Sequence, residues 1–251
     1  MKPLGLETQG LHKSFGALAV ANDINFQLEH GARHALIGPN GAGKTTFVNL
    51  VTGVLRPSAG RILLGGEEIT QLSQAARVKR GLARTFQINQ LFGAMTPGET
   101  LGLAASERRA RGSNAWQAAG ADPAVLDDVS ELAGRFGLAD VLDVRTSTLA
   151  YGKQRLLEIA VAFAARPRVL LLDEPAAGVP ETERHEILAA VAALPADVAV
   201  LLIEHDMDLV FSFAQRVSVL VDGAIFAEGP PEEIARDARV RAVYLGEGYV
   251  P

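Results

Sequence analysis

The nine residues Gly38–Thr46, GPNGAGKTT, follow the apolar run Ala35-Leu36-Ile37 and fill every fixed position of the G-x-x-x-x-G-K-[ST] pattern. This stretch constrains the fold more than any other. Gly38, Gly41 and Gly43 allow a tight backbone in which successive N–H groups point inward at phosphate oxygens. The helix expected after the loop turns the positive end of its dipole toward the same anion. Lys44 brings a full charge to the β- and γ-phosphates, and the Thr45 hydroxyl is a ligand for Mg²⁺. Asn40 and Thr46, polar and within the same loop, join the expected nucleotide-binding set.

Two further strands carry chemistry at their ends. RVLLLDEP, Arg168 to Pro175, is an apolar run that delivers Asp173 and Glu174. Asp173 is placed to hold Mg²⁺, and Glu174 to orient or deprotonate a water attacking the γ-phosphate. An acidic pair after a strand is often no more than a loop start or helix cap; beside a phosphate loop it reads as catalytic. VAVLLIEHD ends at Glu204 and His205. A lone histidine there is commonly structural. If the three strands share one sheet, their carboxyl ends converge where open α/β sheets bind ligands, and His205 reaches the γ-phosphate or the water.

The rest of the chain gives the framework. Short β-rich runs fill the first third, an alanine-rich helical region spans about Asn89 to Arg166 with loops near Gly112 and Asp122-Pro123, and strands and helices then alternate. Continuous apolar strands suit a parallel sheet covered on both faces. The 251 residues are 48% apolar and 21% charged, as in a globular protein with a sizeable core. A net charge of −5 gives no reason to expect nucleic acid. The basic groups Arg77, Lys79, Arg80, Arg84 and Arg108, Arg109, Arg111 read as solvated helix faces. There is no cysteine, which removes disulfides and thiolate metal sites. The N-terminus lacks the apolar core of a secretory signal. The longest apolar stretch, Ile187 to Ile203, is broken by Pro195 and Asp197 and reads as a helix followed by a buried strand. The chain is not expected to cross a membrane.

With TLAYGKQRLLEIA, Thr148 to Ala160, closing the helical region just before RVLLLDEP, the order of pieces resembles the ATPase subunit of ABC transporters over nearly the whole chain. LAYG, GLARTFQ, LLLDEPAAG, IEHDMDLV and the tail AEGPPEEIARDARVRAVYLGE look like the LivG-type ATPases of branched-chain amino-acid importers. The resemblance implies a P-loop α/β core with a mostly parallel sheet, an N-terminal antiparallel β subdomain and an inserted helical subdomain. Residues 1–88 with 167–251 would form the nucleotide-binding core and 89–166 the helical subdomain. It implies ATP hydrolysis with Mg²⁺, Gln87 as a further Mg²⁺ contact, and Phe15 stacked on adenine unless it is an ordinary core aromatic.

Ala150, Tyr151, Gly152 and Lys153 stand where the family signature reaches across a head-to-tail dimer to the partner's γ-phosphate. They depart from it: Ala150 replaces a serine, Tyr151 a glycine and Lys153 a glutamine, and the Lys153 ammonium is a candidate to compensate for the lost hydroxyl. VPETER lacks the aspartate most ABC ATPases carry there, with Pro180 near its place. Implied partners are a second ATPase subunit, two permeases and, indirectly, a substrate-binding protein, with this chain cytoplasmic on the inner membrane face. Lipopolysaccharide export, urea, amide or aromatic-acid uptake, a soluble nucleotide switch and a small-molecule kinase are the alternatives.

Overall fold

Strands β1 (Leu4–Phe15) and β2 (Leu18–Glu29) form a long antiparallel hairpin, joined by β4 (Ala59–Leu64) and β5 (Glu67–Glu68) in the order β2-β1-β4-β5. The structure, a computed structural model, describes residues 3–85, 91–109 and 122–245. A second sheet has the order β10-β9-β3-β8-β7-β6, from β3 (Arg33–Ile37), β6 (Leu82–Arg84), β7 (Val169–Asp173), β8 (Ala199–Ile203), β9 (Arg216–Val221) and β10 (Ala224–Gly229). β9, β3, β8 and β7 run parallel, and β10 closes the edge as an antiparallel hairpin. The P-loop α/β fold with its antiparallel N-terminal sheet is therefore present.

The chain divides into two compact units: Met1–Leu82 with Arg168–Glu174 and Pro195–Pro251, and Ala83–Pro167 with Pro175–Leu194. The first unit holds both sheets' principal strands around helix α1 (Lys44–Thr52). Phe47, Val48, Leu50 and Val51 of α1 are buried with Leu6, Ile24, Phe26, Ile62, Leu36 and Leu201, and Phe26 meets Phe47 edge-on at 5.3 Å. β7 and β8 are apolar at nearly every position, as strands covered on both faces must be. The stretch from Ile187 to Ile203 is the end of helix α6 (Glu181–Ala192) followed by β8.

Arg77 was expected on a solvated face, and the structure corrects that: it is only 2% exposed. It lies in helix α2 (Gln74–Lys79), and its guanidinium donates to the carbonyls of Leu50 (2.8 Å), Val51 (2.6 Å), Thr70 (2.8 Å) and Leu72 (3.1 Å). The first two are carbonyls of the last turn of α1, which lack the i+4 amide of a continuing helix; Leu50 O also accepts the Gly53 N–H at 3.2 Å. α1 ends at Gly53, φ 83°, where a Cβ would lie 2.9 Å from the Arg77 Nε. Glycine there serves both the left-handed cap and the arginine.

In the second unit, α3 (Pro97–Arg108) starts with a capping box between Thr96 and Glu99, and α4 (Pro123–Arg135) starts on Asp122 with Pro123 in its first turn. Asp122-Pro123 thus opens a helix; the loop expected near Gly112 lies outside the described residues. Arg108 and Arg109, also expected on a solvated face, converge on the buried Asp128 of α4 at 2.5 and 2.7 Å, with Arg166 at 3.1 Å. Hydrogen bonds, first from Arg109, hold the Asp128 carboxyl down to about 2. This knot ties α3, α4 and the residues after α5 (Tyr151–Ala164).

Two outcomes follow from buried charge. Arg77→Met should lower unfolding stability by roughly 3–5 kcal/mol, because four carbonyls lose a charged donor; urea unfolding checks this, and Arg77→Lys should lose less. Next, Ser218 Oγ donates to Glu228 at 2.7 Å and so accepts from the His34 Nε2–H at 2.9 Å, a bond open to either protonation state, while burial favours the neutral ring. Burial, aided by Arg216 and opposed by Glu228, lowers its pKa from 6.5 to about 4. Between those two pH values the unfolded chain binds a proton that the folded chain does not. His34 therefore removes stability as pH falls through that window, on the order of 3 kcal/mol in all. His34→Gln should flatten that slope in denaturation curves measured across the window.

Candidate functional site

The parallel ladder fixes where the chemistry meets. Leu36 of β3 lies opposite Ile203 of β8, and Ile203 lies opposite Asp173 of β7. The three strands thus end level, and Gly38, Glu174 and Glu204-His205 leave the same carboxyl edge. Neighbouring strands are ~4.8 Å apart, so the whole edge between β3 and β7 spans about 10 Å.

The phosphate loop is held by close backbone approaches. A Cβ on Gly38 would lie 2.3 Å from the Leu220 carbonyl oxygen, and one on Gly43, φ 101°, 2.8 Å from that of Val20. The Asp222-Gly223 turn, φ 47° and 75°, clamps the loop: Gly223 N–H donates to Ala42 O at 2.9 Å while Asn22 N–H donates to Gly223 O at 2.8 Å. Such a two-residue turn is what a β9–β10 hairpin requires. Lys44 Nζ donates back to Gly38 O (2.6 Å) and Pro39 O (3.1 Å). Burial lowers the lysine pKa, while the charges of Glu174 and Asp173 raise it. That coupling brings Lys44 and both predicted carboxylates into one electrostatic site. Asn40 and Thr45 are exposed and Thr46 is half-buried, within the same loop and first turn of α1.

Glu174 sits in the left-handed region, φ 47°, with its N–H bonded to Ile203 O at 2.9 Å. A non-glycine residue there costs about 1 kcal/mol or more and is characteristic of functional positions. Its Oε1 is 3.6 Å from His205 Nδ1. Glu204, which the sequence did not single out, is 2% exposed and approaches the same ring nitrogen: Oε2 is 3.7 Å from Nδ1 and accepts the His205 backbone N–H at 3.1 Å. Its only signal was a carboxylate closing an apolar strand.

In the second unit, α5 begins at Tyr151 with Ala150 as its N-cap, so the signature stretch is a helix N-terminus. Gly152 N–H donates to Glu183 Oε2 at 2.9 Å, and the Tyr151 hydroxyl donates to Ala177 O at 3.3 Å. The Lys153 ammonium points to its own unit: it donates to Gly137 O at 2.5 Å and lies 3.6 Å from Asp140.

Comparison with known proteins fits this arrangement. Residues 21–177 match the family described as ABC transporter, and residues 224–250 match that described as Branched-chain amino acid ATP-binding cassette transporter. The chain belongs to the ABC transporter family, as one of its ATPases. It is 40% identical to the high-affinity branched-chain amino acid transport ATP-binding protein BraF of Pseudomonas aeruginosa, over 96% of this chain and 98% of that one. It is 38% identical to LivG of Escherichia coli over the same shares. Among solved structures, a nucleotide-free ATP-binding cassette from an ABC transporter superposes with a TM-score of 0.86 at 27% identity, covering 97% of this chain and 99% of that one. The ADP conformation of the cassette MJ1267 gives 0.85 at 28%, with the same coverage.

Within this ABC ATPase, Phe15 is 51% exposed at the tip of the β1–β2 hairpin, which excludes the core-aromatic reading. Lys13 Nζ stands 5.0 Å from its ring centre, on a side chain also bonded to Arg56 O at 2.9 Å. Gln87 lies outside the described residues. Thr45 and Asp173 present hard oxygen donors. No cluster of three or more histidines or acids able to hold a metal occurs among the described residues. That donor set fits Mg²⁺, which keeps waters and substrate phosphates in its shell, and fits poorly with a metal caged by protein. No helix among the described residues is long and apolar enough to cross a membrane.

Proposed function

We propose that this chain is the ATP-hydrolysing subunit of an importer for branched-chain or related hydrophobic amino acids. The observation that carries the reading is that residues 224–250, beyond the stretch that matches the general ABC transporter family, match the branched-chain amino acid group as well. Identity to BraF and LivG along nearly the whole length supports it. Those names do not favour lipopolysaccharide export, amide uptake or a soluble switch.

The residues take these roles. Gly38, Asn40, Gly41, Gly43, Lys44, Thr45 and Thr46 cradle the triphosphate, and Phe15 stacks on adenine. Thr45, Asp173 and Gln87 would hold Mg²⁺, which would supply positive charge to offset that of the triphosphate. Glu174 orients and deprotonates the attacking water, and His205, 3.6 Å from its carboxylate, holds the γ-phosphate or that water. A second ATPase subunit, related or identical, completes each site with Ala150–Lys153 in a head-to-tail dimer. Closure drives two permeases, with a separate binding protein delivering cargo, and hydrolysis reopens the pair. The chain is peripheral, on the cytoplasmic face. Residues 1–88 with 167–251 serve as nucleotide-binding core and 89–166 as the signature-bearing subdomain.

Glu174→Gln should cut ATP turnover by roughly 10²–10⁴ while ATP binding persists, measured by phosphate release and by fluorescent-nucleotide titration; surviving turnover would take the base role from Glu174. For the transport role, a mild-detergent pull-down from native membranes should recover two unlike permeases and a second ATPase. Recovery of soluble partners only, or of an envelope-lipid exporter, would end the importer reading and leave the ATP site standing.

A further inference from the structure

The anion position at the start of α5 is filled from within the same chain. Gly152 N–H is one of the helix's first amides, which have no intrahelical acceptor. Ala150, the N-cap, has no side-chain oxygen to offer. The Glu183 carboxylate supplies it, with Oε2 accepting at 2.9 Å. A Cβ on residue 152 would lie 2.4 Å from the same Oε2, so the carboxylate sits where only glycine admits it. Glu183 is half-buried in the first turn of α6, its own N–H bonded to Pro180 O at 2.9 Å. A second tie lies alongside: Tyr151 donates to Ala177 O, and a Cβ on Gly178, φ 73°, would lie 2.9 Å from the Tyr151 hydroxyl oxygen. The start of α5 is thus fastened at two points to residues 177–183, the segment that follows Glu174 in the chain.

We propose that Glu183 is a resident stand-in for the partner's γ-phosphate: it caps the signature helix in the open chain and must be displaced before ATP-driven closure. The proposal rests on the reading of Ala150–Lys153 as the trans signature. Glutamate carboxylate and phosphate are both anions seeking the same N–H groups and dipole end, so they exclude one another. The phosphate, with more charge and more acceptor oxygens, displaces the carboxylate only when ATP fills the opposing loop. The release lowers the apparent affinity of closure by the fraction of molecules in which the carboxylate is away. Lys153, engaged with Gly137 O, does not oppose the carboxylate at this position.

The test is nucleotide-driven association of the full chain, alone and with the ATPase that co-purifies with it. It is followed by analytical ultracentrifugation across a titration of the non-hydrolysable analogue AMP-PNP with Mg²⁺. Glu183→Gln keeps an oxygen acceptor without the charge, and Glu183→Ala removes both; circular dichroism confirms that each is folded. Half-maximal association should move to a nucleotide concentration roughly 3- to 10-fold lower in both, with fluorescent-nucleotide binding to the isolated subunit unchanged. An unchanged or higher midpoint in the glutamine variant overturns the proposal, since the carboxylate then serves only as a cap. If wild type and variants alike fail to associate with nucleotide, the trans-signature reading itself falls, and the stand-in role with it.

Discussion

The register of three parallel strands is what the rest of this molecule depends on. Leu36, Ile203 and Asp173 stand abreast, so a loop, a carboxylate pair and a histidine far apart in sequence emerge at one edge. Register in a buried sheet is set by packing on both faces, and a slip of one residue would turn each side chain to the opposite face. The buried apolar runs of β7 and β8 and the wedge of Phe47 against Phe26 hold it. The geometry of this edge is therefore a consequence of core packing: Glu174 lies beside His205 with its N–H bonded to Ile203 O, in line with the strand ladder.

Charge in this protein is spent inward as much as outward. Arg77 ends the helix that starts at the phosphate loop, so the one helix has glycine turns and the lysine at one end and a buried guanidinium at the other. In the helical unit Asp128 gathers three arginines around one carboxylate. A buried ion survives only where hydrogen bonds replace water, and both groups are fully provided for. Arg77, Arg108 and Arg109, which look like parts of solvated faces in one dimension, are fastenings within their respective units.

The signature helix differs in how its N-terminus is satisfied. Its sequence has neither a capping side chain nor the serine of the family pattern, and the deficit is met from a distant helix by Glu183. Lys153 is occupied by a carbonyl and an aspartate of its own unit. Both contacts join residues well separated along the chain, and neither residue's spacing announces it.

The sequence by itself determined the phosphate loop, the acidic strand end and the order of helices and strands. These depend on local rules: glycine for tight backbone and apolar runs for buried strands; Asp122-Pro123, read as a loop, instead opens α4. Tertiary structure alone decided that Arg77, Arg108 and Arg109 turn inward, that Phe15 is exposed, and that Glu204 and Glu183 attach themselves to the histidine and the signature. Those outcomes depend on which carbonyl or amide lacks a partner at a given place, and that is known only once strands and helices are packed.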